Sequence, residues 1–257
     1  NFHNKYVKHI LINSIAKPDD TLIDFAVGKA GDLNKWKTAG LSFVFGIDIS
    51  KDNIENKVDG ACVRYIKQAN KQKRFPSILF AIGNSQYNFK EGNGFTTDKS
   101  KIIYNAVIGR GSNDASIIGK GVHKNYGKGK DGFNIASCQF ALHYFFEDTN
   151  SLKGFIRNVS ENTKVGGYFI GTCYDGNNLF NKLSNIQKGE IYNVSKEGTT
   201  ILEITKQYDD TEFNNDSSCL GYAIEVLQET INVKWREYLV NFNYLIRVME
   251  NYGFNLL

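Results

Sequence analysis

The sequence has little of several features that mark other classes of protein. It contains four cysteines, two prolines and one methionine in 257 residues. The cysteines are scattered, with no CxxC pair and no His/Cys cluster at zinc-ligand spacing, so we expect reduced thiols and no bound metal. No apolar run approaches the roughly 18 to 20 residues of a membrane helix, and the N-terminus lacks a secretory signal. We therefore expect a cytoplasmic protein without a membrane segment.

What is present indicates one globular domain. Hydrophobic residues make up 41% of the chain and charged residues 23%, which is enough apolar surface to bury a core and excludes disordered and fibrous classes. We predict a single domain over residues 1–257. Because the chain begins without Met and its only Met is Met249, we expect a domain excised from a longer polypeptide.

Positive charge is concentrated in one segment. The 31 basic and 27 acidic residues give a net charge of +4, which permits a polyanionic ligand without requiring one. Residues 119–130 read GKGVHKNYGKGK and contain four lysines and no acid. This run belongs to a predicted glycine- and lysine-rich insertion over about residues 93–131, far longer than an ordinary connection. It is either a solvated loop or a binding site for a polyanion or another domain.

Apolar runs alternate with helical patterns along most of the chain. Residues 2–16 place apolar side chains at three- and four-residue spacings and predict an amphipathic helix. Five strands are then predicted, at TLIDFAV, LSFVFGIDIS, SILFAIG, GFNIASCQF and VGGYFIGTCY. The helical stretches between them are LNKWKTAG, DNIENKVDGACVRYIKQANKQ and SLKGFIRNVSENTK. This order predicts an α/β fold with a mainly parallel sheet and helices on both faces.

The last third of the chain is less regular. Beyond about residue 179 the pattern predicts two strands, TTILEITKQY and INVKWREYLVNF, and one helix, FNYLIRVMENYG. The sequence contains no internal repeat and no low-complexity linker. This is why we predict one domain.

The turn after the first strand is the first candidate site. Residues 24–32 read DFAVGKAGD, a glycine turn that lets the backbone approach a ligand closely. Asp48 ends the second strand 20 residues after Gly28, where a carboxylate can accept the hydroxyl protons of an adenosine ribose. The full G-x-G-x-x-G pattern is absent, and Asp32 would repel a pyrophosphate. A ligand with an ammonium and a sulfonium, S-adenosylmethionine, suits these residues; the alternative is a purely structural turn.

The end of the fourth strand is the second candidate site. It reads CQFALHYFF, with Gln139, His143 and Tyr144 among further aromatic residues. Aromatic rings with His and Gln just past a strand end provide a stacking floor and a hydrogen-bonding edge for a planar heterocycle. The alternative is that the segment begins a core helix in which the His is satisfied internally.

These residues resemble a known family, the mRNA cap guanine-N7 methyltransferases. The resemblance is carried, in order, by FHNKYVK, DFAVGKAGDLNKW, GIDIS, CVRY, CQFALHYFF, GGYFIGT and EYLV. It implies a class I (Rossmann-like) S-adenosylmethionine-dependent methyltransferase that methylates N7 of the GpppN cap of RNA and releases S-adenosylhomocysteine, with no metal.

The insertion resembles the methyltransferase portion of capping enzymes from large DNA viruses. That resemblance implies triphosphatase and guanylyltransferase domains in the same polypeptide, a stimulatory subunit as a further partner, and a location in the host cytoplasm or the virion. The basic segment would then contact RNA phosphates or the other capping domains.

The resemblance also implies a role for individual residues. For the methyl donor it implies Lys8 at the carboxylate, the turn at Ala26 and Gly28, Asp48 at the ribose, Asn84 at the adenine amino group, and Gln139 and Tyr144 at the sulfonium. For the cap it implies Asn4, Lys29, Lys35, Arg64, His143, Tyr144 and Glu237. Two departures stand out: Ala26 and Ala30 replace family glycines, and the chain stops at GFNLL, before a family tyrosine that contacts the cap. The alternative is a solvated charge on a helix for Lys8, Lys29 and Lys35, a surface ion pair for Arg64, and an exposed strand residue for Glu237.

The chemistry of the substrate agrees with these roles. Guanine presents N1–H and an amino group on one edge, and a single carboxylate such as Glu237 can accept both. N7 already carries a lone pair, so we expect no catalytic base, and the rate would come from orientation. Two alternatives remain: a class I methyltransferase for another substrate, and a non-catalytic methyltransferase-like subunit that binds RNA or stimulates a partner.

Overall fold

A computed structural model describes residues 2–72, 74–196, 199–228 and 233–257. The chain forms two compact units. The first comprises residues 1–139 and 157–171, and the second residues 140–156 and 172–257. The prediction of a single domain stays a prediction.

The first unit is built on a five-stranded sheet. Its strands are β1 (Thr21–Asp24), β2 (Phe43–Asp48), β3 (Ser77–Ile82), β4 (Phe133–Gln139) and β5 (Thr163–Thr172), in the order β3-β2-β1-β4-β5. β1 is parallel to β2 and β4, and β2 is parallel to β3. β5 follows β4 in the same direction, because Gly167 lies against Asn134 O and Gly171 against Cys138 O. The predicted parallel sheet is confirmed.

Helices cover both faces of this sheet. They are α1 (Lys8–Ile15), α2 (Leu33–Thr38), α3 (Lys51–Glu55), α4 (Ala61–Ala69), α5 (Asp98–Val107), α6 (Ala115–Ile118), α7 (Lys120–His123) and α8 (Thr149–Asn162). A π-helical turn, His3–Val7, precedes α1. Short polar caps start several of these helices; for example, the Ser50 side chain accepts a hydrogen bond from Asn53 N–H.

The two faces have different cores. On one face, Ile12 of α1 and Trp36 of α2 pack with Val44 of β2. On the other, the Tyr104 ring of α5 lies 6.2 Å from that of Phe45, between centroids. Every residue of β2 is buried, as expected of a strand covered on both sides.

The second unit holds an antiparallel sheet. After a 3₁₀ turn at Leu142–Phe146 and the start of α8, it contains α9 (Gly176–Leu183), β6 (Ile191–Lys196), β7 (Thr199–Lys206), β8 (Ala223–Gln228), β9 (Lys234–Tyr238) and α10 (Phe242–Glu250). The strand order is β6-β7-β8-β9. Its core includes Leu183, Ile204, Tyr222 and Leu239.

Several elements differ from the prediction. Residues 52–72, predicted as one helix, form α3 and α4 with a turn between them. The predicted insertion contains three helices, α5 to α7, and the elements α9, β6 and β8 were not predicted. The predicted strand over residues 231–242 begins outside the described residues, and its described part forms β9. Within the described part of the chain, no helix is both long and apolar enough to cross a membrane.

Candidate active site

The carboxyl edge of the parallel sheet carries three buried polar side chains. Asp24, Asp48 and Gln139 are the last residues of β1, β2 and β4. The strand order reverses between β1 and β4, and open α/β sheets bind ligands at the carboxyl ends of strands beside such a reversal. This edge is therefore the candidate ligand site of the first unit.

The glycine turn after β1 has a conformation that favours glycine. Gly28 has φ of 53°, and Ala30, two residues later, has φ of 55°. Gly28 N–H donates to Asp48 Oδ2 at 2.8 Å, which ties the turn to the end of β2. A Cβ added at Gly28 would meet nothing within 4 Å, so the turn faces open space. A ligand can therefore approach its backbone closely.

The Asp48 carboxylate is held by three donors. Besides Gly28 N–H on Oδ2, its Oδ1 accepts from Ser50 N–H at 2.9 Å and from Asn53 Nδ2 at 3.0 Å. A carboxylate offers about four acceptor positions, so one is left for a ligand hydroxyl. Accepting both hydroxyls of a ribose would require the Asn53 side chain to move away.

Three predicted residues meet around Asp32. Its carboxylate lies 3.1 Å from Lys8 Nζ and 2.7 Å from Lys35 Nζ, and Lys35 Nζ also donates to Asn4 Oδ1 at 3.0 Å. A cluster of one buried carboxylate and two ammonium groups can match both charges of an amino acid zwitterion, with the lysines facing its carboxylate and Asp32 facing its ammonium. The pKa of Asp24 is raised to about 7, mainly by burial and to a smaller extent by the negative charge of Asp32. The hydrogen bond that Ala26 N–H donates to Asp24 acts in the opposite direction.

Lys29 and Arg64 lie apart from this cluster. Lys29 Nζ contacts Asp59 at 2.9 Å and Asp52 at 3.4 Å, and the hydrogen bond to Asp59 raises the pKa of Lys29. Arg64, on α4, is half-buried and forms no ion pair with the described residues. Their predicted role at the cap stays a prediction.

Asn84 and Gln139 are held by local contacts. Asn84 Oδ1 accepts from Gln86 N–H at 2.9 Å, and its Nδ2 donates to Gln86 Oε1 at 3.1 Å. Gln139 Nε2 donates to Ser137 Oγ at 3.3 Å. Asn84 Oδ1 keeps a second lone pair for a ligand amino group.

The second unit contains an aromatic cluster around His143. Its ring centroid lies 4.3 Å from that of Tyr144 and 5.8 Å from that of Phe140, while Tyr174 stacks parallel to it at 6.3 Å. Phe140 has φ of 59°, a strained conformation for a non-glycine residue that recurs at functional sites. The other aromatic residues of the motif, Phe145 and Phe146, are core residues.

Glu237 of β9 faces His143 in the same cluster. The two are 5% and 1% exposed, and Glu237 Oε1 lies 3.6 Å from His143 Nε2, which is too long for a hydrogen bond. Both His143 ring nitrogens and Glu237 Oε2 lack hydrogen-bond partners among the described residues. Burial raises the pKa of Glu237 to about 7 and lowers that of His143 to about 4, so this contact is not an ion pair near neutral pH.

Buried polar atoms without partners are rare and indicate a ligand or a functional constraint. Here they lie among aromatic rings, an environment that suits a planar heterocycle carrying N–H donors. The structure thus brings His143, Tyr144 and Glu237 together, and their role at the cap stays a prediction.

The sequence prediction used Asp32 to favour a ligand with an ammonium group but did not assign it to the donor set, and it missed Asp24 and Tyr174 as site residues. Asp24 and Tyr174 have a recognisable signal, because each ends or follows an apolar run that forms a strand of the sheet. In the described residues, no group of three His, Cys, Asp or Glu side chains could hold a metal ion.

Comparison with known proteins identifies relatives of this chain. It is 29% identical to an mRNA cap guanine-N(7) methyltransferase of Arabidopsis thaliana, over 98% of this chain and 58% of that protein. It is 28% identical to the mRNA cap guanine-N(7) methyltransferase of Saccharomyces cerevisiae, over 100% of this chain and 50% of that protein. A probable mRNA-capping enzyme of Acanthamoeba polyphaga mimivirus is 29% identical over 92% of this chain but only 19% of its own length. The chain therefore spans less than two thirds of these relatives.

Solved structures share the fold. The CcbJ methyltransferase of Streptomyces caelestis has a TM-score of 0.55 at 13% identity, covering 97% of this chain and 78% of that one. The sequence model of the mRNA (guanine-N(7))-methyltransferase domain matches residues 1–257. The chain belongs to the mRNA (guanine-N7) methyltransferase family and has the fold of S-adenosylmethionine-dependent methyltransferases.

Proposed function

We propose that this chain transfers a methyl group from S-adenosylmethionine to N7 of the guanine in a GpppN RNA cap. The observation that carries the proposal is the buried Glu237 carboxyl group, which lacks a partner on Oε2 and lies among aromatic rings in a chain of this family. The relatives' names, mRNA cap guanine-N(7) methyltransferases, agree with it.

The residues at the carboxyl edge of the first sheet fit the donor. S-adenosylmethionine supplies a methyl group on a positively charged sulfur. Lys8 and Asp32 would face the carboxylate and ammonium of its amino acid part, and Asp48 would accept a ribose hydroxyl. The open space beside Gly28 leaves room for this ligand. Ala26, Asn84, Gln139 and Tyr144 complete the proposed donor set.

The aromatic cluster of the second unit fits the guanine. Glu237, once ionised, accepts hydrogen bonds from guanine N1–H and the 2-amino group, whereas a neutral carboxyl would lose one acceptor. His143 and Tyr144 supply ring contacts to the base. Asn4, Lys29, Lys35 and Arg64 are the proposed contacts of the triphosphate bridge.

No residue needs to remove a proton from the reacting atom, because guanine N7 carries a free lone pair. The side chains therefore act by holding N7 in line with the methyl group and by excluding water. His143 stays neutral near pH 7, since burial lowers its pKa to about 4, and so it does not serve as an acid. Its role in the proposal is to contact the base.

A larger assembly belongs to the same proposal. Triphosphatase and guanylyltransferase domains in one polypeptide would deliver the GpppN end, and a stimulatory subunit would be a further partner. The chain matches 19% of the mimiviral relative's length, which supports a longer capping polypeptide. In that case the protein is viral and works in the host cytoplasm or the virion.

Methyl transfer from labelled S-adenosylmethionine to GpppG-capped RNA tests the proposal, with RNA whose cap guanine is already N7-methylated as the control. We expect label on the first RNA alone. Label on both would indicate a class I methyltransferase for another position. Binding of S-adenosylhomocysteine without any transfer would indicate a non-catalytic RNA-binding or stimulatory subunit.

A further inference from the structure

Four lysines of the first unit form an exposed group, here called the lysine ridge: Lys120, Lys124, Lys128 and Lys130. None of them lies within ion-pair distance of a carboxylate in the part of the chain that the structure describes. Burial, and then the neighbouring Lys124, lower the pKa of Lys128, so these two ammonium groups are close and uncompensated. The ridge is a local concentration of positive charge.

The lysine ridge lies at the amino end of the sheet. Lys128 Nζ is 5.2 Å from the ring centroid of Phe43, the first residue of β2, whereas Asp48 ends the same strand. At about 3.3 Å per residue, roughly 17 Å of strand separates these ends. Backbone hydrogen bonds of 2.8 Å from Gly127 to Ala106 O and from Gly129 to Val107 O fix the ridge segment to α5. The ridge is thus a fixed surface remote from the donor residues.

A cavity of about 470 Å³ adjoins the lysine ridge. α3, α4, β3, α5 and α7 supply its mainly apolar walls, which include Tyr65 and Phe80. Glu55, Lys99 and Lys124 also line it, and Lys99 Nζ lies 3.9 Å from Glu55 Oε1, so Lys124 is the lining cation without an ion pair among the described residues. Asn125 lines it too, although only 2% of its surface is exposed. Its Nδ2 donates to Gly121 O at 2.8 Å, but its Oδ1 has no hydrogen-bond partner among the described residues. The wall of the cavity therefore includes a residue with a buried acceptor that has no partner among the described residues.

The edge of β3 beside this cavity is closed to an added strand. Ile78 N–H donates to the Tyr65 hydroxyl at 3.3 Å, and Ile82 N–H donates to Ser100 Oγ at 2.9 Å. A peptide strand would need these outward-facing N–H groups to continue the sheet. A compact ligand with an apolar body and an N–H donor fits the cavity instead, and the adjoining lysines favour one that carries negative charge.

We infer that the lysine ridge and its cavity bind the RNA chain downstream of the cap. The lysines contact phosphates, and the cavity takes one unpaired base whose amino group donates to Asn125 Oδ1. This inference rests on the proposed function for the identity of the substrate, but it concerns a separate surface. RNA that reaches this surface gains affinity that a cap dinucleotide does not have.

Binding of an uncapped single-stranded RNA, followed by fluorescence anisotropy, tests the ridge without requiring methyl transfer. The variant Lys124→Ala/Lys128→Ala removes two ridge charges, and Lys182→Ala/Lys188→Ala removes two exposed charges from the second unit as a matched control. Two lost phosphate contacts should lower the slope of log Kd against log salt by about 1.4 and weaken binding about 20-fold near 0.1 M salt. The control should bind as the unaltered chain does.

The cavity is tested by Ile66→Trp, which places a ring at its exposed rim, beside Ile66→Ala, which leaves it open. We expect the Trp variant to weaken RNA binding without changing the salt slope, and to bind abasic RNA as the unaltered chain does. Methylation of GpppG should be unchanged in all four variants.

Three outcomes would overturn the inference. One is equal RNA binding by the ridge variant and its control; if polyglutamate binding alone then falls, the ridge instead recognises an acidic protein. The second is a loss of GpppG methylation in the ridge variant, and the third is equal RNA binding by the two Ile66 variants. Absence of methyl transfer in every protein, with the RNA-binding differences intact, would remove the proposed function and leave this surface as an RNA site.

Discussion

Burial shifts the pKa values of Glu237 and His143, which face each other in the second unit, in opposite directions. Glu237 has its pKa raised from an ordinary 4.5 to about 7, so between these values the folded chain holds a proton that the unfolded chain releases. Stability therefore falls as pH rises through this range. The pKa of His143 is lowered from 6.5 to about 4, which has the opposite effect on stability. Between these values the unfolded chain holds a proton that the folded chain does not, so stability rises with pH.

Glu237→Gln should consequently stabilise the protein at alkaline pH. The substitution removes an ionised carboxylate that is buried without a cation, and the rise of its pKa from 4.5 to about 7 corresponds to about 3 kcal/mol at pH 8. Urea unfolding at pH 8 and pH 4 measures it, and we expect the stabilisation at pH 8 to shrink towards zero at pH 4. A stabilisation of equal size at both values would show that the ionisation is not its cause.

The same carboxyl group should impose a pH dependence on cap methylation. Guanine donates two hydrogens from one edge, so the ionised form of Glu237 is the one that binds it. We expect kcat/KM for GpppG to rise with pH through about 7 and then level off. In Glu237→Gln it should fall at least about 100-fold, because the amide NH₂ of Gln would face a guanine N–H group and both are hydrogen-bond donors. A flat profile in the unaltered chain would contradict this assignment.

At this scale, motifs indicate which distant residues lie together, while the roles of those residues stay predictions. His143 and Glu237 are 94 positions apart, yet both were assigned to one base site through the QF-x-x-HY-x-F and EYLV motifs, and they face each other. The partners of Lys29 could not be predicted in this way. Asp52 of α3 and Asp59 of the loop after it meet Lys29 only because α3 and this loop pack near the glycine turn, and no local pattern encodes that contact.

Among the elements, the turn from β1 to α2 depends on one glycine. Gly28→Ala should cost about 1 kcal/mol in the free energy of unfolding, because its φ of 53° is unfavourable for a residue with a Cβ. The added methyl group would also project into the open space proposed for the donor, so affinity for S-adenosylhomocysteine should fall. Gly31→Ala, in the same turn without a left-handed φ and with no atom near its added Cβ, should leave stability unchanged. Equal destabilisation of both would contradict the role of φ.

A buried side chain of α8 binds three backbone groups of the loop after β3. Asn158 is fully buried; its Oδ1 accepts from Phe89 N–H at 2.9 Å, and its Nδ2 donates to Ser85 O at 2.9 Å and Tyr87 O at 2.7 Å. Asn158→Ala should lower the free energy of unfolding by about 3 kcal/mol, since three backbone groups lose their partners.

Arg157→Ala is the matched control for this prediction. Arg157 is the neighbouring residue of α8, and its guanidinium forms exposed ion pairs with Glu91 and Glu161. Exposed pairs contribute little, so we expect a loss under about 1 kcal/mol. Thermal or urea unfolding of both variants decides the matter, and similar losses would show that Asn158 does not hold the loop.

How well each element could be predicted depends on its burial. Most residues of β1 to β4 are buried, so these strands read as apolar runs. β6 reads IYNVSK, has no such run, and was missed. The helix predicted over residues 52–72 is broken because Asn56 Oδ1 accepts hydrogen bonds from the N–H groups of Val58 and Asp59, a turn that competes with the helix.

On the scale of the whole molecule, the proposed roles divide between the two compact units. The first holds Lys8, Asp32, Asp48 and Gln139, which are proposed for the methyl donor, and the second holds His143 and Glu237, which are proposed for the guanine. Tyr144, assigned to both ligands, lies in the second unit. Donor binding and base binding should therefore respond to different substitutions.

Asp48→Ala and Glu237→Ala test this division. Asp48 would accept a ribose hydroxyl, and hydrogen bonds to charged groups contribute about 1.5 to 3 kcal/mol, so its loss should weaken S-adenosylhomocysteine binding at least about tenfold. Glu237→Ala should leave that affinity within about twofold while abolishing methylation of GpppG, since only the base loses its acceptor. Calorimetric titration of each variant with S-adenosylhomocysteine measures the first quantity. Asn53→Ala controls for the turn, because it frees one acceptor position on Asp48 and should retain or increase the affinity. If Asp48→Ala and Glu237→Ala lose donor binding equally, the two ligands do not depend on separate sets of residues, and the assignment of Glu237 to the guanine alone is wrong.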